Sequence, residues 1–120
     1  PLLTEGQVHG SVAQGLGQAL LEHIVFDPQT AQPLTGSFLD YTMPRAADFP
    51  ECEWSSVEVP SPANPLGVKG CAEAGCVAAP SAVVDAVLDA LAPLGVRDID
   101  MPLTPHRVWQ SIRDAPVRHS

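Results

Sequence analysis

The chain has 120 residues, of which 45% are apolar and 17% are charged, and its formal net charge is −8. This length fits one domain, 1–120, and the composition is typical neither of a disordered protein nor of a membrane protein. The six Lys and Arg residues are scattered along the chain. They argue against nucleic-acid binding, because phosphates require clustered basic side chains.

The sequence shows no targeting segment. No apolar run approaches the roughly 18 residues needed to cross a bilayer, and no basic region precedes an apolar stretch. The chain starts at Pro1 without an initiator Met, which suggests a piece of a longer subunit. Its three cysteines, an odd number, fit free thiols in a reducing compartment, so we expect a cytoplasmic protein. Cys71 and Cys76 are more typical of thiols packed around a tight loop than of metal ligands.

The first predicted element is a helix over residues 6–24, with Thr4 as its N-cap. Its apolar residues recur three and four apart: Val8, Val12, Leu16, Ala19, Leu20 and Ile24. Three glycines lie inside it, at positions 10, 15 and 17, and each costs about 1 kcal/mol relative to Ala. Glycines at such a cost indicate that another group approaches the helix backbone closely. The pattern leaves open whether this is a packed neighbour or a cofactor.

The middle of the chain reads as strands and loops. Asp27-Pro28 indicates a turn between a strand end and its return. The segments that follow are an extended stretch 37–43, a loop 44–50, a strand 53–59 and a second loop 60–65.

The last third contains a tight loop over residues 67–75 and then a helix over about 79–92. A short strand is predicted at 96–101. Thr104-Pro105 opens a final helix, with Thr as N-cap and Pro at the first helical position, and residues 115–120 read as a frayed tail. Helices and strands mix without a strict alternation, so the predicted fold class is α+β.

Glu73 is the candidate catalytic residue in the loop, because small residues surround it and leave its carboxylate uncovered. A lone loop acid is more often simply solvated. The helix that follows offers unpaired N–H groups, which suit anions. Lys69 could be a surface lysine or could offset a negative charge nearby, and both interpretations remain open.

The loop closely resembles part of the molybdenum-cofactor-binding subunit of the xanthine dehydrogenase, aldehyde oxidase and carbon monoxide dehydrogenase family. That family carries a Gly-x-Lys-Gly-x-Gly-Glu-x-Gly pattern. Here Gly67, Lys69, Gly70, Glu73 and Gly75 match it, whereas Ala72 replaces a Gly and Cys71 fills a variable position. The Gly- and Gln-rich stretch 6–20 is similar to the family's helix beside the pterin, and Asn64-Pro65-Leu66 also fits. The resemblance covers residues 5–115.

The resemblance implies a C-terminal lobe of a molybdenum-cofactor-binding domain with Glu73 as the catalytic base. It also implies a set of cofactor-binding residues, and no residue here that ligates a metal. These cofactor-binding residues are Gln7, Gly10, Gln14, Gly15, Gly17, Lys69, Gly70, Cys71 and Ala72.

The implied cofactor is molybdenum-molybdopterin in its cytosine dinucleotide form, with iron–sulfur clusters and FAD on other domains or subunits. The implied function is oxidation or hydroxylation of a small aldehyde or heterocycle, with no membrane or nucleic-acid partner. Two alternatives are a carbon monoxide dehydrogenase-like member and a non-catalytic module that packs against a partner subunit.

Overall fold

The structure is a computed structural model and describes residues 2–116. Its elements in chain order are helix α1 (Leu2–Leu20), a 3-10 turn (Ala46–Asp48), helix α2 (Ala74–Leu91), a 3-10 turn (Ala92–Leu94) and helix α3 (Pro105–Asp114). Residues 117–120, most of the predicted tail with His119, lie outside the described range. The two long helices pack against each other.

Both long helices begin earlier than the sequence predicts. Thr4 lies inside α1 and not at its N-cap, and the helix ends at Leu20, where Leu21 and Glu22 both donate their N–H groups to the Gly17 carbonyl. Helix α2 begins at Ala74, five residues before the predicted start, and carries Pro80 in its interior. Proline favours the first turn of a helix, which is why the sequence pattern placed the start too late.

The predicted strands do not form within residues 2–116. The described β pairing is one antiparallel bridge between Phe26 and Pro33, which closes the turn predicted at Asp27-Pro28. Segments 53–59 and 96–101 lack ladder partners, and 37–43 folds into turns. The described chain is therefore mostly helical, and its own strands do not support the α+β class. A strand needs a neighbour, and the described chain supplies none.

The core is small. Its buried apolar residues are Ala19, Leu91, Val96, Ile99 and Leu103. The radius of gyration is 18.6 Å, against about 14 Å for a compact domain of this length. The accessible surface is 9213 Å², against about 6,200 Å² for a compact monomer of this mass. The chain therefore buries less than the sizeable core that its length allows.

The C-terminal region supports the end of α1. The Leu103 N–H donates to the Ala19 carbonyl, 2.6 Å away. Helix α3 starts as predicted, because the Thr104 hydroxyl accepts the Arg107 N–H at 3.3 Å and Pro105 occupies the first turn. Residues 96–103 thus cover the end of α1 without forming a strand.

Helix α2, continued to Leu94, is long and apolar enough to cross a membrane by length and composition. The sequence-based statement that no segment reaches this length is therefore wrong. Core helices of soluble proteins, which are mostly buried, pass the same test, whereas 11% of this apolar stretch is buried within the described chain. Helix α2 packs closely against α1 and places Asp85 and Asp89 on its exposed side, as a helix covered by protein on one face does.

Candidate active site at the start of helix α2

Glu73 occupies the N-cap position of α2, and its side chain is exposed. Within the described range its carboxylate makes no capping hydrogen bond to the helix. It lines an open cavity of about 510 Å³. The other lining residues are mostly small: Gly70, Cys71, Ala72, Ala74 and Val77. The structure therefore presents one carboxylate in a recess whose neighbours leave room for a ligand.

The loop is fixed on its upstream side by Asn64. The Asn64 side-chain amide donates to the Val68 carbonyl at 3.0 Å and accepts the Val68 N–H at 3.1 Å. The side-chain amide thus bonds both backbone groups of Val68, as a neighbouring strand would, and closes a short loop. Gly67 turns within it at a φ of +65°, a conformation that favours glycine. The direction in which the chain leaves toward Lys69 is therefore set by local hydrogen bonds.

The loop is fixed on its downstream side by Ser11 of α1. The Gly75 N–H donates to the Ser11 hydroxyl at 3.0 Å, and the hydroxyl donates to the Val8 carbonyl at 2.9 Å. Ser11 is 6% exposed. One buried hydroxyl thus joins the middle of α1 to the first turn of α2, two residues after Glu73.

Glycines allow this close approach of the helices. A Cβ at Gly75 would lie 2.7 Å from the Val12 backbone nitrogen, and one at Gly15 would lie 2.7 Å from the Ala79 Cβ. Both separations are shorter than real Cβ contacts allow. Gly75 of the loop pattern and Gly15 of the helix pattern therefore serve packing between α1 and α2.

The predicted cofactor residues of α1 divide into two groups. Gly15 and Gly17 are buried, and a Cβ at Gly17 would meet the Pro44 ring at 2.8 Å. In contrast, Gln7, Gly10 and Gln14 are exposed, and a Cβ at Gly10 would have no neighbour within 4 Å. Spacings of three and four place these three residues on one side of the helix. The structure thus gives a packing reason for two glycines and leaves the surface at Gly10 open.

Lys69 and Gly70 are exposed, whereas Cys71 is half-buried. Among residues 2–116, the one ion pair joins Arg113 to Asp114, so Lys69 does not pair with Glu73. All three cysteines are free, and the Cys76 thiol donates to the Glu73 carbonyl at 3.2 Å. In the same range, no three His, Cys, Asp or Glu side chains are grouped closely enough to hold a metal ion.

Ser11 is the residue at this site that sequence reasoning missed. It stands among small residues in α1, four positions before Gly15. A hydroxyl in the interior of a helix usually bonds the carbonyl one turn back. Its position on the side of the helix that carries Gly15 was the signal that it faces a neighbour, because residues four apart share a face.

Known proteins resemble the chain over nearly its whole length. A family model described as molybdopterin cofactor-binding domain matches residues 1–50. The carbon monoxide dehydrogenase large chain of Hydrogenophaga pseudoflava is 38% identical over 95% of this chain and 14% of its own length. The nicotine 6-hydroxylase large subunit of Paenarthrobacter nicotinovorans is 42% identical over 94% of this chain and 14% of its own length.

The crystal structure of quinoline 2-oxidoreductase from Pseudomonas putida 86 superposes with a TM-score of 0.90 at 42% identity. This match covers 97% of the chain and 15% of that structure's chain. The fold is thus that of a molybdopterin cofactor-binding domain. The chain belongs to the family of molybdopterin-binding large subunits that includes xanthine dehydrogenase, aldehyde oxidase and carbon monoxide dehydrogenase. It spans about one seventh of the length of these relatives.

Proposed function

We propose that the chain is the C-terminal part of a molybdenum-dependent oxidoreductase subunit that oxidises or hydroxylates a small aldehyde or heterocycle. Two relatives at 42% identity carry the names of enzymes of the heterocycles nicotine and quinoline. Because the chain covers about one seventh of such subunits, it contributes one side of a site that the rest of the subunit completes. We therefore expect this piece to be inactive alone.

Glu73 acts as the general base of this reaction. The observation that carries this role is that its carboxylate lies in the cavity at the N-cap position, yet takes no part in capping α2. Both oxygens are therefore available to accept a proton from the reacting group. The small residues around Glu73 leave space for that group to approach.

The residues present fit a pterin cofactor. Gln7 and Gln14 expose amides that can both donate and accept hydrogen bonds, and the space above Gly10 is open. At the cavity, Gly70, Cys71 and Ala72 present backbone near a helix N-terminus, which suits the anionic groups of a dinucleotide. Lys69 adds a positive charge. Gly15 and Gly17 hold the helix that carries the glutamines.

Molybdenum on molybdopterin, as the cytosine dinucleotide, supplies the oxidation–reduction chemistry when it is bound. The residues of this chain position the cofactor and move a proton. Iron–sulfur clusters and FAD that would take up the electrons are expected on other domains or subunits. Several relatives carry names that describe them as subunits or chains of larger enzymes, which supports this division. We place the enzyme in the cytoplasm because its cysteines are free.

The rest of the subunit covers the exposed apolar surface. Leu39 and Val57 are 92% and 90% exposed. An apolar groove of about 430 Å³ also runs along α1 and α2, between Val12 and Leu16 on one side and Ala78, Ala82 and Val83 on the other. Monomers rarely expose such a surface. The relatives are about seven times longer than this chain, so their remaining length suffices to bury it.

A carbon monoxide dehydrogenase-like enzyme is the second candidate, since two relatives of that name are 38% and 36% identical to this chain. The two candidates share Glu73 and the molybdopterin cofactor. They differ in substrate and in copper, since a related carbon monoxide dehydrogenase structure is named a Cu,Mo enzyme. Turnover of carbon monoxide against that of N-heterocycles and aldehydes by the purified holoenzyme distinguishes them.

The test of the catalytic role is Glu73→Gln in the full-length holoenzyme. Glutamine keeps the shape of the side chain but does not accept the proton. We expect normal molybdenum and pterin content and a turnover lowered by roughly 10²–10⁴-fold, the usual contribution of general base catalysis. Glu51→Gln is the matched control, because Glu51 is exposed and lies outside the cavity. Near-normal turnover of a fully loaded Glu73→Gln enzyme would refute the role.

A further inference from the structure

The start of α2 is capped by a residue of another helix. An N-cap side chain normally accepts the N–H of the second or third residue of its helix. In α2 the second residue is Gly75, and its N–H goes to Ser11 of α1 at 3.0 Å. Glu73, which holds the N-cap position, makes no capping bond in the described structure. Ser11 therefore supplies the capping acceptor that the Glu73 carboxylate would otherwise supply.

The environment of Ser11 fixes its hydroxyl in this contact. It is 6% exposed, and its own proton is used on the Val8 carbonyl at 2.9 Å. With the proton directed to Val8, the hydroxyl oxygen presents its lone pairs to Gly75. A Cβ at position 75 would collide with this hydroxyl and with the backbone of Val12. The hydroxyl and the glycine thus form one fitted contact.

We infer that Ser11 is a positioning residue for the general base: by capping α2 from the neighbouring helix, it keeps the Glu73 carboxylate off the helix end and available in the cavity. This inference rests on the proposed function of Glu73. Without the Ser11 hydroxyl, the Gly75 N–H loses its acceptor. The nearest replacement is the carboxylate at the N-cap position, since anions are favoured at helix N-termini. Glu73 would then fold back onto α2 and leave the reacting group.

The test is Ser11→Ala in the full-length holoenzyme, with metal content, kcat and KM measured together. We expect normal molybdenum content, KM within about twofold of the parent enzyme and kcat lowered by about 10- to 100-fold, because a misplaced catalytic group costs rate without weakening substrate binding. Ser11→Thr keeps a hydroxyl that can bond the preceding turn, and we expect it to restore most of kcat.

Ser81→Ala is the matched control. The Ser81 hydroxyl also donates to a carbonyl three residues back, that of Ala78 at 3.0 Å, but it is exposed and has no partner on another helix among the described residues. We expect kcat to stay within about twofold of the parent value, since an exposed hydroxyl bond contributes little.

The double variant Ser11→Ala/Glu73→Gln separates this inference from the proposed function. If Ser11 acts through Glu73, the double variant turns over at the rate of Glu73→Gln alone. Multiplicative losses, or a normal kcat in Ser11→Ala beside an impaired Glu73→Gln, would overturn the role of Ser11 and leave Glu73 as base. Loss of the cofactor in Ser11→Ala would make Ser11 a folding residue and overturn the inference too. A normal Glu73→Gln enzyme would overturn the proposed function itself.

Discussion

The α1–α2 pair and the segment that connects the two helices, residues 21–73, are organised by different means. The pair has its own close contact, in which Gly15, Gly75 and Ser11 bring the helices together. In the connecting segment the described hydrogen bonds are mostly local, and most of its large apolar side chains are exposed. The pair thus forms a surface that carries the candidate site, whereas the connecting segment buries few of its apolar side chains within the described chain.

The two regions differ in whether their backbone hydrogen bonds are satisfied within the described chain. Helices satisfy their backbone hydrogen bonds internally, so two of them need only one fitted face to pack. An extended segment needs a neighbouring strand for the same purpose. Within residues 2–116, no hydrogen bond involves the backbone of segment 53–59. We therefore expect its β-branched and aromatic residues to pair with strands outside this chain.

The largest effect is expected from breaking the pair with Gly75→Ala. The added Cβ would meet the backbone of Val12 at 2.7 Å, and backbone does not move aside as a flexible side chain does. Overpacking of this kind costs about 1–3 kcal/mol. We expect lower yield of the assembled enzyme, a lower inactivation temperature and loss of turnover together.

Gly6→Ala is the control for that substitution. Gly6 lies in α1, is exposed, and a Cβ there has no neighbour within 4 Å. Because Ala is the better helix former, we expect unchanged or slightly raised thermal stability. Equal behaviour of the two variants would contradict the close contact between the helices.

A smaller effect distinguishes the connecting segment, and hydrogen exchange measures it. We expect the amides of residues 53–59 to exchange at least about tenfold more slowly in the assembled enzyme than in this chain alone, since pairing with other strands protects amides. Mass spectrometry of peptides from both samples gives the comparison. Rapid exchange in both samples would show that the segment is a solvated loop.

The smallest effect is expected at the turn that begins the connecting segment. The backbone N–H of Thr30, then its hydroxyl and the N–H of Gln29, donate to the Asp27 carboxylate and lower the pKa of Asp27. Thr30→Val removes only the hydroxyl bond, so we expect this pKa to rise toward its usual value of about 3.9. Carbon-13 NMR of the labelled carboxyl group measures it.

The lowered pKa of Asp27 makes the stability of this turn depend on pH. The lowered pKa means that the ionised carboxylate stabilises the turn at pH values above about 3.9. That contribution is lost as the pH falls through the lowered pKa of the folded state. In Thr30→Val the two pKa values lie closer together, so the contribution should be smaller and its loss should be complete at a higher pH. An unchanged titration curve would show that the hydroxyl does not contribute.

Local chemistry made some elements predictable. Thr104-Pro105 specified the start of α3, and Asp27-Pro28 specified its turn, because each motif forms its own hydrogen bonds. The spacing of Val8, Val12 and Leu16 correctly predicted a helix. Pro80 placed the predicted start of α2 too late, because proline usually lies in the first turn of a helix. The strand expected at 53–59 failed because propensity describes a residue's fitness for a sheet and does not supply the neighbouring strand.

The sequence by itself determined that three helices form, where the Asp27-Pro28 turn and the start of α3 lie, and the family, and it singled out Glu73 through the small residues around it. Only the tertiary structure decided which glycines pack and which stay open, since Gly10 and Gly15 are equivalent in the sequence but face solvent and α2 respectively. It alone revealed that Ser11 caps α2, because that bond joins residues 64 positions apart. Local patterns report spacing along the chain, whereas such a contact depends on how two helices are placed in space.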